Sequence, residues 1–249
     1  MTIVLVHGVP ETAGVWDAVR ARLDGPSMAV ELAGFGSPTP PGFAGGRDAQ
    51  VDWILRQLDA VPDPIDLIGH DWGSLLTLRI ATAHPDRVRS WAVDVAAVSH
   101  PDYVWHDFAR QWQTPGGGEQ RMEKMLATRA DDSGNFFSQL VHVGVPPAEC
   151  QKMASHFDAT MASAILDLYR SAVPNVHTGW EAASSGRSVR PGLILQATAD
   201  PFDDADRSTQ VAQALGADVL RLEGLGHFWM VEDPAVAATA INQWVSRHA

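Results

Sequence analysis

Three residues in this sequence combine a nucleophile, an acid and a histidine in an order suited to covalent hydrolysis. Asp71 is the centre of Gly69-His70-Asp71-Trp72-Gly73, Asp200 follows Ala197-Thr198-Ala199, and His227 lies in Gly224-Leu225-Gly226-His227-Phe228. The first stretch has the small-x-nucleophile-x-small form of a nucleophile elbow, in which small neighbours permit a strained turn that exposes the central side chain. A glycine-bearing turn between a strand and a helix is also an ordinary structural device, so the motif alone decides little. The order nucleophile, acid, histidine along the chain adds weight, because each of the three follows a strand-like run. Asp94, at the end of another strand-like run, is the alternative acid. A carboxylate nucleophile is already ionised at neutral pH, with a reference pKa near ~3.9. Held in line and desolvated, it displaces a leaving group from an sp³ carbon and becomes an alkyl ester. Water activated by His227, its tautomer set by Asp200, would then hydrolyse that ester.

The elements that must position these residues read as a parallel α/β sheet. Residues 2–6 form a continuous Leu and β-branched run, expected of a strand buried on both faces, and His7-Gly8-Val9-Pro10 breaks it as a loop able to offer a backbone N–H donor. Strands are expected again at 28–32, 65–68, 87–95, 192–197 and 218–222, and helices at 48–58, 74–83 and 235–247. Between residues 99 and 189 no convincing strand is found, only helical segments and loops. The expected organisation is an α/β core of residues 1–98 and 190–249 with a helical cap inserted at 99–189. Asp203, Asp204 and Asp206 read as a solvated loop and the start of a helix.

Together these residues resemble the α/β-hydrolase superfamily, and within it the branch of epoxide hydrolases and haloalkane dehalogenases. The resemblance covers nearly the whole chain; its most specific motifs are His7–Glu11 and Gly69–Ser74, and Glu223–Pro234 is a more generic third. The chain starts directly on what would be the family's third strand, which is a departure. The resemblance implies a mostly parallel sheet flanked by helices, Asp71 as nucleophile, and an oxyanion hole from the N–H groups of Val9 and Trp72. Epoxide hydrolases use two cap tyrosines to protonate the epoxide oxygen. Leu168-Tyr169-Arg170 resembles the segment carrying the second. The segment resembling the first, Gln111 to Gly116, holds Trp112 instead of Tyr, so Tyr103 or His106 would have to substitute. His106 and Trp112 are expected to touch substrate. Trp72 occurs in both kinds of enzyme, whereas dehalogenases often carry Asn where this chain has Val9. The expected activity is therefore opening of epoxides to vicinal diols, with haloalkane or haloacid dehalogenation as the alternative. Another α/β-fold hydrolase or a ligand-binding protein is the third reading, since fold does not fix function.

Bulk properties narrow the partners. With 30 acidic against 18 basic residues the net charge is −12, which disfavours nucleic acid and anionic membranes. A small apolar organic substrate is expected, and a homodimer is compatible with the sequence. A single cysteine, Cys150, forbids an intrachain disulfide and suits a reducing cytoplasm. The N-terminal residues show neither a signal peptide nor a spanning segment. There is no His-Glu-x-x-His and no cysteine pair, and Gly34-Phe35-Gly36 lacks the rest of a dinucleotide loop, so neither metal nor cofactor is expected. Nine tryptophans against two tyrosines is unusual, and most of them are expected to fill the core while some line a pocket.

Overall fold

The computed structural model describes residues 2–128, 134–176, 178–180 and 188–249. Six strands, β1 (Ile3–Val6), β2 (Ser27–Val30), β3 (Ile65–Gly69), β4 (Val88–Val93), β5 (Gly192–Ala197) and β6 (Asp218–Leu222), form one sheet in the order β2-β1-β3-β4-β5-β6. All neighbours are parallel. The longer helices are α1 (Gly46–Leu58), α2 (Trp72–Ala83), α3 (Asp107–Gln113), α4 (Gly117–Ala127), α5 (Pro147–His156), α6 (Ala159–Arg170), α7 (Ala205–Leu215) and α8 (Pro234–Arg247). Central strands β1, β3 and β5 are buried along their whole length, as continuous apolar runs covered on both faces must be. Edge strand β6 is largely exposed and carries Asp218 and Arg221, charges that discourage further pairing.

The order of the strands creates the site. From β1 the chain steps to β2 on one side, then crosses back to β3 on the other, so the loops after β1 and β3 diverge. A crevice opens at such a switch point, beyond the carboxyl ends of the strands. Gly8 and Val9 leave β1 there, and Asp71 follows β3.

Between β4 and β5 the described residues form helices α3 to α6 and no strand. Helix α6 packs on α1 and α3. The Trp105 indole N–H donates to the Ala172 carbonyl at 3.2 Å, and Ser171 Oγ accepts from Arg47 N at 2.9 Å, tying this segment to itself and to α1. The expected cap of 99–189 includes positions 129–133, 177 and 181–187, which lie outside the described residues.

Helix α7 begins where the acidic residues placed a helix start, and it is a full three-turn element whose stripe of Ser208, Val211, Ala212 and Leu215 is buried. One expectation needs correcting: the leading acidic cluster is not simply solvated. Asp204 caps the helix, while Asp203 is half-buried and accepts hydrogen bonds from Ala97 N at 3.3 Å and from Ser208 Oγ at 2.5 Å. Burial pushes its carboxyl up to about 6. The tryptophans divide as expected: Trp16, Trp91, Trp229 and Trp244 are fully buried in the core, and others line a cavity. No described helix is long and apolar enough to cross a membrane.

Candidate active site

Asp71 occupies a backbone conformation that side chains rarely adopt, φ 51° and ψ −119°, at the junction of β3 and α2. The glycines around it make that turn possible. A Cβ on Gly69 would stand 2.4 Å from the Gly73 carbonyl oxygen, and one on Gly73 would stand 2.3 Å from the Val6 carbonyl oxygen. Any side chain at either position would force β1, β3 and α2 apart. Strain of this kind persists only where its surroundings over-determine it. Here the Asp71 N–H donates to Asp94 Oδ1 at 2.9 Å, and its carbonyl accepts from Ser74 N at 2.9 Å.

The two oxygens of the Asp71 carboxylate have different surroundings. Oδ1 accepts the Val9 N–H at 2.9 Å. Gly8 makes that approach possible, since a Cβ there would lie 2.6 Å from the same oxygen. Trp72 is the first residue of α2, whose leading N–H groups have no intrahelical acceptor. Oδ2 faces His227 Nε2 at 4.0 Å, too far for a direct hydrogen bond. On the other side of that ring, His227 Nδ1 donates to Asp200 Oδ2 at 2.9 Å. Asp200 is itself fixed, its Oδ1 accepting from Phe202 N at 2.8 Å. Burial raises the Asp71 carboxyl above the usual carboxylate range, although the nearby histidine charges and the Val9 hydrogen bond pull it back. Burial likewise opposes a charge on His227, but the Asp200 carboxylate outweighs it and holds the imidazole above its ordinary pKa.

Asp94 does not approach the Nδ1 of His227. Its Oδ2 accepts from Trp229 Nε1 at 2.7 Å and pairs with His70 Nδ1 at 2.5 Å; its Oδ1 also accepts from Ser74 Oγ at 2.8 Å. His70 Nε2 then pairs with Glu11 Oε1 at 3.1 Å, and Glu11 Oε2 accepts the Gly8 N–H at 3.3 Å. Burial opposes charge on all three groups, yet Asp94 and Glu11 raise His70 well above the ordinary imidazole pKa. In return, His70 holds both carboxyls below theirs. A buried carboxylate–imidazolium–carboxylate chain thus lies directly behind the elbow. Sequence reasoning missed Glu11 and His70. The available signal was their placement, one within each specific motif, in the loops that follow strands buried on both faces, where a buried polar side chain needs partners.

Over Asp71 lies a cavity of about 400 Å³. Asp71, His227, Val9 and Trp72 line it from the core, and Tyr169, His106 and Trp112 from the segment between β4 and β5. Asp200 stands behind His227. The Tyr169 ring is gripped by three indoles, with centroids 5.2 Å from Trp72, 5.6 Å from Trp105 and 4.8 Å from Trp112. Burial and then the Asp71 charge push the Tyr169 phenol well above its usual pKa. Tyr103 lines the same cavity and its phenol is raised by the same two causes. The chain contains two tyrosines, and both are here. Tyr103 and His106 both line the cavity, but their side chains differ in what they are engaged with. His106 Nδ1 accepts the Ala109 N–H at 3.3 Å as a cap of α3, and burial, then the His227 charge, push its pKa down to about 4, which leaves it a neutral imidazole. Trp112 Nε1 is buried without a hydrogen-bond partner. Among the described residues no cluster of His, Cys, Asp and Glu is arranged to hold a metal ion.

A family model described as the alpha/beta hydrolase family matches residues 3–240. Epoxide hydrolase A of Mycobacterium tuberculosis is 25% identical over 98% of this chain and 90% of its own length. A haloalkane dehalogenase of Mycolicibacterium paratuberculosis is 28% identical over 97% of this chain and 82% of its own. Among solved structures, the haloalkane dehalogenase DatA from Agrobacterium tumefaciens C58 aligns with a TM-score of 0.78, covering 100% of this chain and 90% of that one, at 20% identity. At that identity the structural likeness speaks for the fold alone.

Proposed function

Given that the chain belongs to the alpha/beta hydrolase family and is a hydrolase, we propose that it opens epoxides to vicinal diols through an alkyl ester on Asp71. The observation that carries this reading is that both tyrosines of the chain line the cavity above Asp71, each kept as the neutral phenol. An epoxide oxygen leaves as an alkoxide and needs a proton; a phenol, with a reference pKa near ~10, supplies it at neutral pH. In this mechanism Asp71 Oδ2, the oxygen not engaged by Val9, attacks an epoxide carbon. The C–O bond breaks, and the departing oxygen takes the proton of Tyr169 with Tyr103 as second donor. Water, deprotonated by His227, then adds to the Asp71 carbonyl carbon. The negative charge of that intermediate develops on Oδ1, where the Val9 N–H already lies at 2.9 Å and the Trp72 N–H completes the hole. Collapse releases the diol as His227 returns its proton to the leaving alkoxide, and the proton of the newly formed Asp71 carboxylic acid passes through solvent to the Tyr169 phenolate, restoring both groups. Asp200 holds the His227 tautomer throughout. Residues 99–189 act as a cap that excludes water from the first step.

One observation favours haloalkane dehalogenation as a second reading. A halide leaves without a proton and is bound by N–H donors, and the cavity offers the indoles of Trp72 and Trp112, the latter with Nε1 unpartnered.

The ester is the direct test of the shared step. His227→Gln should still be alkylated, because ester formation needs no base, but should not turn over. After incubation with styrene oxide, intact-protein mass spectrometry should show one substrate-sized addition, localised to the peptide containing Asp71, and Asp71→Ala should show none. Addition mapped to any other residue would overturn the nucleophile assignment.

A further inference from the structure

The cavity-facing side of α4 is oddly composed. Arg121, Lys124, Met125 and Thr128 all line the cavity, at the i, i+3, i+4, i+7 spacing of a single helical face. Such a face turned toward an apolar chamber is normally apolar throughout, yet this one presents two cations. Among the described residues, apart from the catalytic groups and the neutral His106, they are the charged side chains on the cavity wall, and both are positive in a chain of net charge −12. No carboxylate answers them among the described residues. Arg121 stacks its guanidinium over Phe108 at 5.5 Å and keeps a buried Nε without a hydrogen bond. By contrast, the chain's other lysine, Lys152, is tied to Asp17 at 3.1 Å and to the Gly14 carbonyl at 2.9 Å.

We propose that Arg121 and Lys124 form an anion subsite at the α4 end of the cavity, and that the substrate is an apolar chain bearing a carboxylate at the end away from its reacting carbon. The remaining wall is mostly apolar and aromatic, which suits the body of such a molecule. The Asp71 charge repels a carboxylate while the two cations attract it, so together they orient the substrate in one sense. Guanidinium and ammonium groups with no carboxylate partner among the described residues are donors that a substrate carboxylate pairs with.

This inference deepens the epoxide reading, so its test avoids turnover. Equilibrium binding of decanoate and of its neutral ester, methyl decanoate, to the whole enzyme is followed by calorimetry and tryptophan fluorescence. Decanoate should bind more tightly by roughly five- to thirtyfold, the range for charge-assisted contacts at partly exposed cations. The preference should shrink as salt is added. Arg121→Met/Lys124→Met should lose it while leaving methyl decanoate binding unchanged, and Lys124→Met alone, at an exposed position, should lose part of it. Equal affinity of the wild-type enzyme for acid and ester would overturn the proposal, as would a preference that survives in the double variant. Failure of the epoxide reading would show instead as a missing ester on Asp71, with these binding results untouched.

Discussion

Two neighbouring side chains separate the possible leaving groups. Tyr169 lines the cavity with its ring held among three indoles, one of them that of Trp72. Tyr169→Phe removes only the hydroxyl, so ring packing should be nearly unchanged. If the leaving oxygen takes its proton from that hydroxyl, alkylation of the enzyme by an epoxide should slow by roughly ten- to a thousandfold, with ester hydrolysis little affected. Tyr103→Phe should act in the same direction and more weakly. With an alkyl bromide the Tyr169 change should be nearly silent and Trp72→Phe severe, since the halide needs N–H donors and no acid. Single-turnover kinetics on the variants with both substrates separate the cases. Unimpaired alkylation of Tyr169→Phe by an epoxide would sink the proton-transfer step proposed above. At this scale the motifs pointed to residues that the fold brings to one cavity, Asp71, His227 and Val9. The sequence was ambiguous for Tyr103 and His106, because the choice between them depends on which one spends its side chain capping α3.

At the level of elements, strand ends decide which carboxylate does which job. Asp94 ends β4 and Asp200 follows β5, and either could have met His227 from the sequence alone. The structure brings Asp200 to its Nδ1 at 2.9 Å and commits Asp94 to His70, Ser74, Trp229 and the Asp71 N–H. Asp200→Asn should therefore slow ester hydrolysis by roughly a thousandfold or more, because His227 loses both its orientation and the charge that stabilises its cation. Asp94→Asn should change that rate far less and act on stability instead. It leaves the buried His70 with Glu11 as its remaining carboxylate, a loss of about 3–5 kcal/mol by denaturant unfolding. The reverse ranking would move the triad acid to β4. Most of the sheet was legible because strands covered on both faces must be continuous apolar runs. Of helix α7 only the start was legible, since its buried stripe includes Ser208 and Ala212. The Glu11–His70 contact joins residues 59 apart, and only the pairing of β1 with β3 brings them together. The aromatic grip on Tyr169 is likewise a product of how α3 and α6 pack, which hydrophobic periodicity does not encode.

For the molecule as a whole, the buried histidines set stability and activity against each other as pH rises. His70 and His227 have folded pKa values above the ordinary imidazole, so each contributes stability that is fully present below the unfolded value of ~6.5 and lost as pH climbs through the folded one. Asp94 and Glu11 work at the other end. Their depressed values contribute stability above ~4 that is lost as pH falls. His106, depressed to about 4, adds stability that is complete above ~6.5 and lost as pH falls toward 4. Asp71 and Asp203, both raised, lose theirs as pH rises from ~3.9 through the values they hold in the fold. These contributions leave the greatest stability near the unfolded imidazole value, at about pH 6 to 6.5, with a decline on the alkaline side that the self-repulsion of a chain of net charge −12 reinforces. In the proposed mechanism catalysis runs the other way over the same interval. There ester hydrolysis needs His227 unprotonated, and because Asp200 raises its pKa, the rate should still be climbing above ~6.5. Unfolding midpoints and single-turnover ester decay, measured from about pH 5 to 9 on one preparation, should therefore show stability falling while the rate rises above the imidazole value. His70→Gln should flatten the alkaline decline in stability and move the limb of the rate profile to higher pH, because the His70 charge, 4.8 Å away ring to ring, holds the His227 pKa down; Asp200→Asn should move that limb to lower pH while lowering its plateau. Stability that holds steady or increases between about pH 6.5 and 8.5 in the unaltered enzyme would mean that the chain behind the elbow is not held as an imidazolium between two carboxylates.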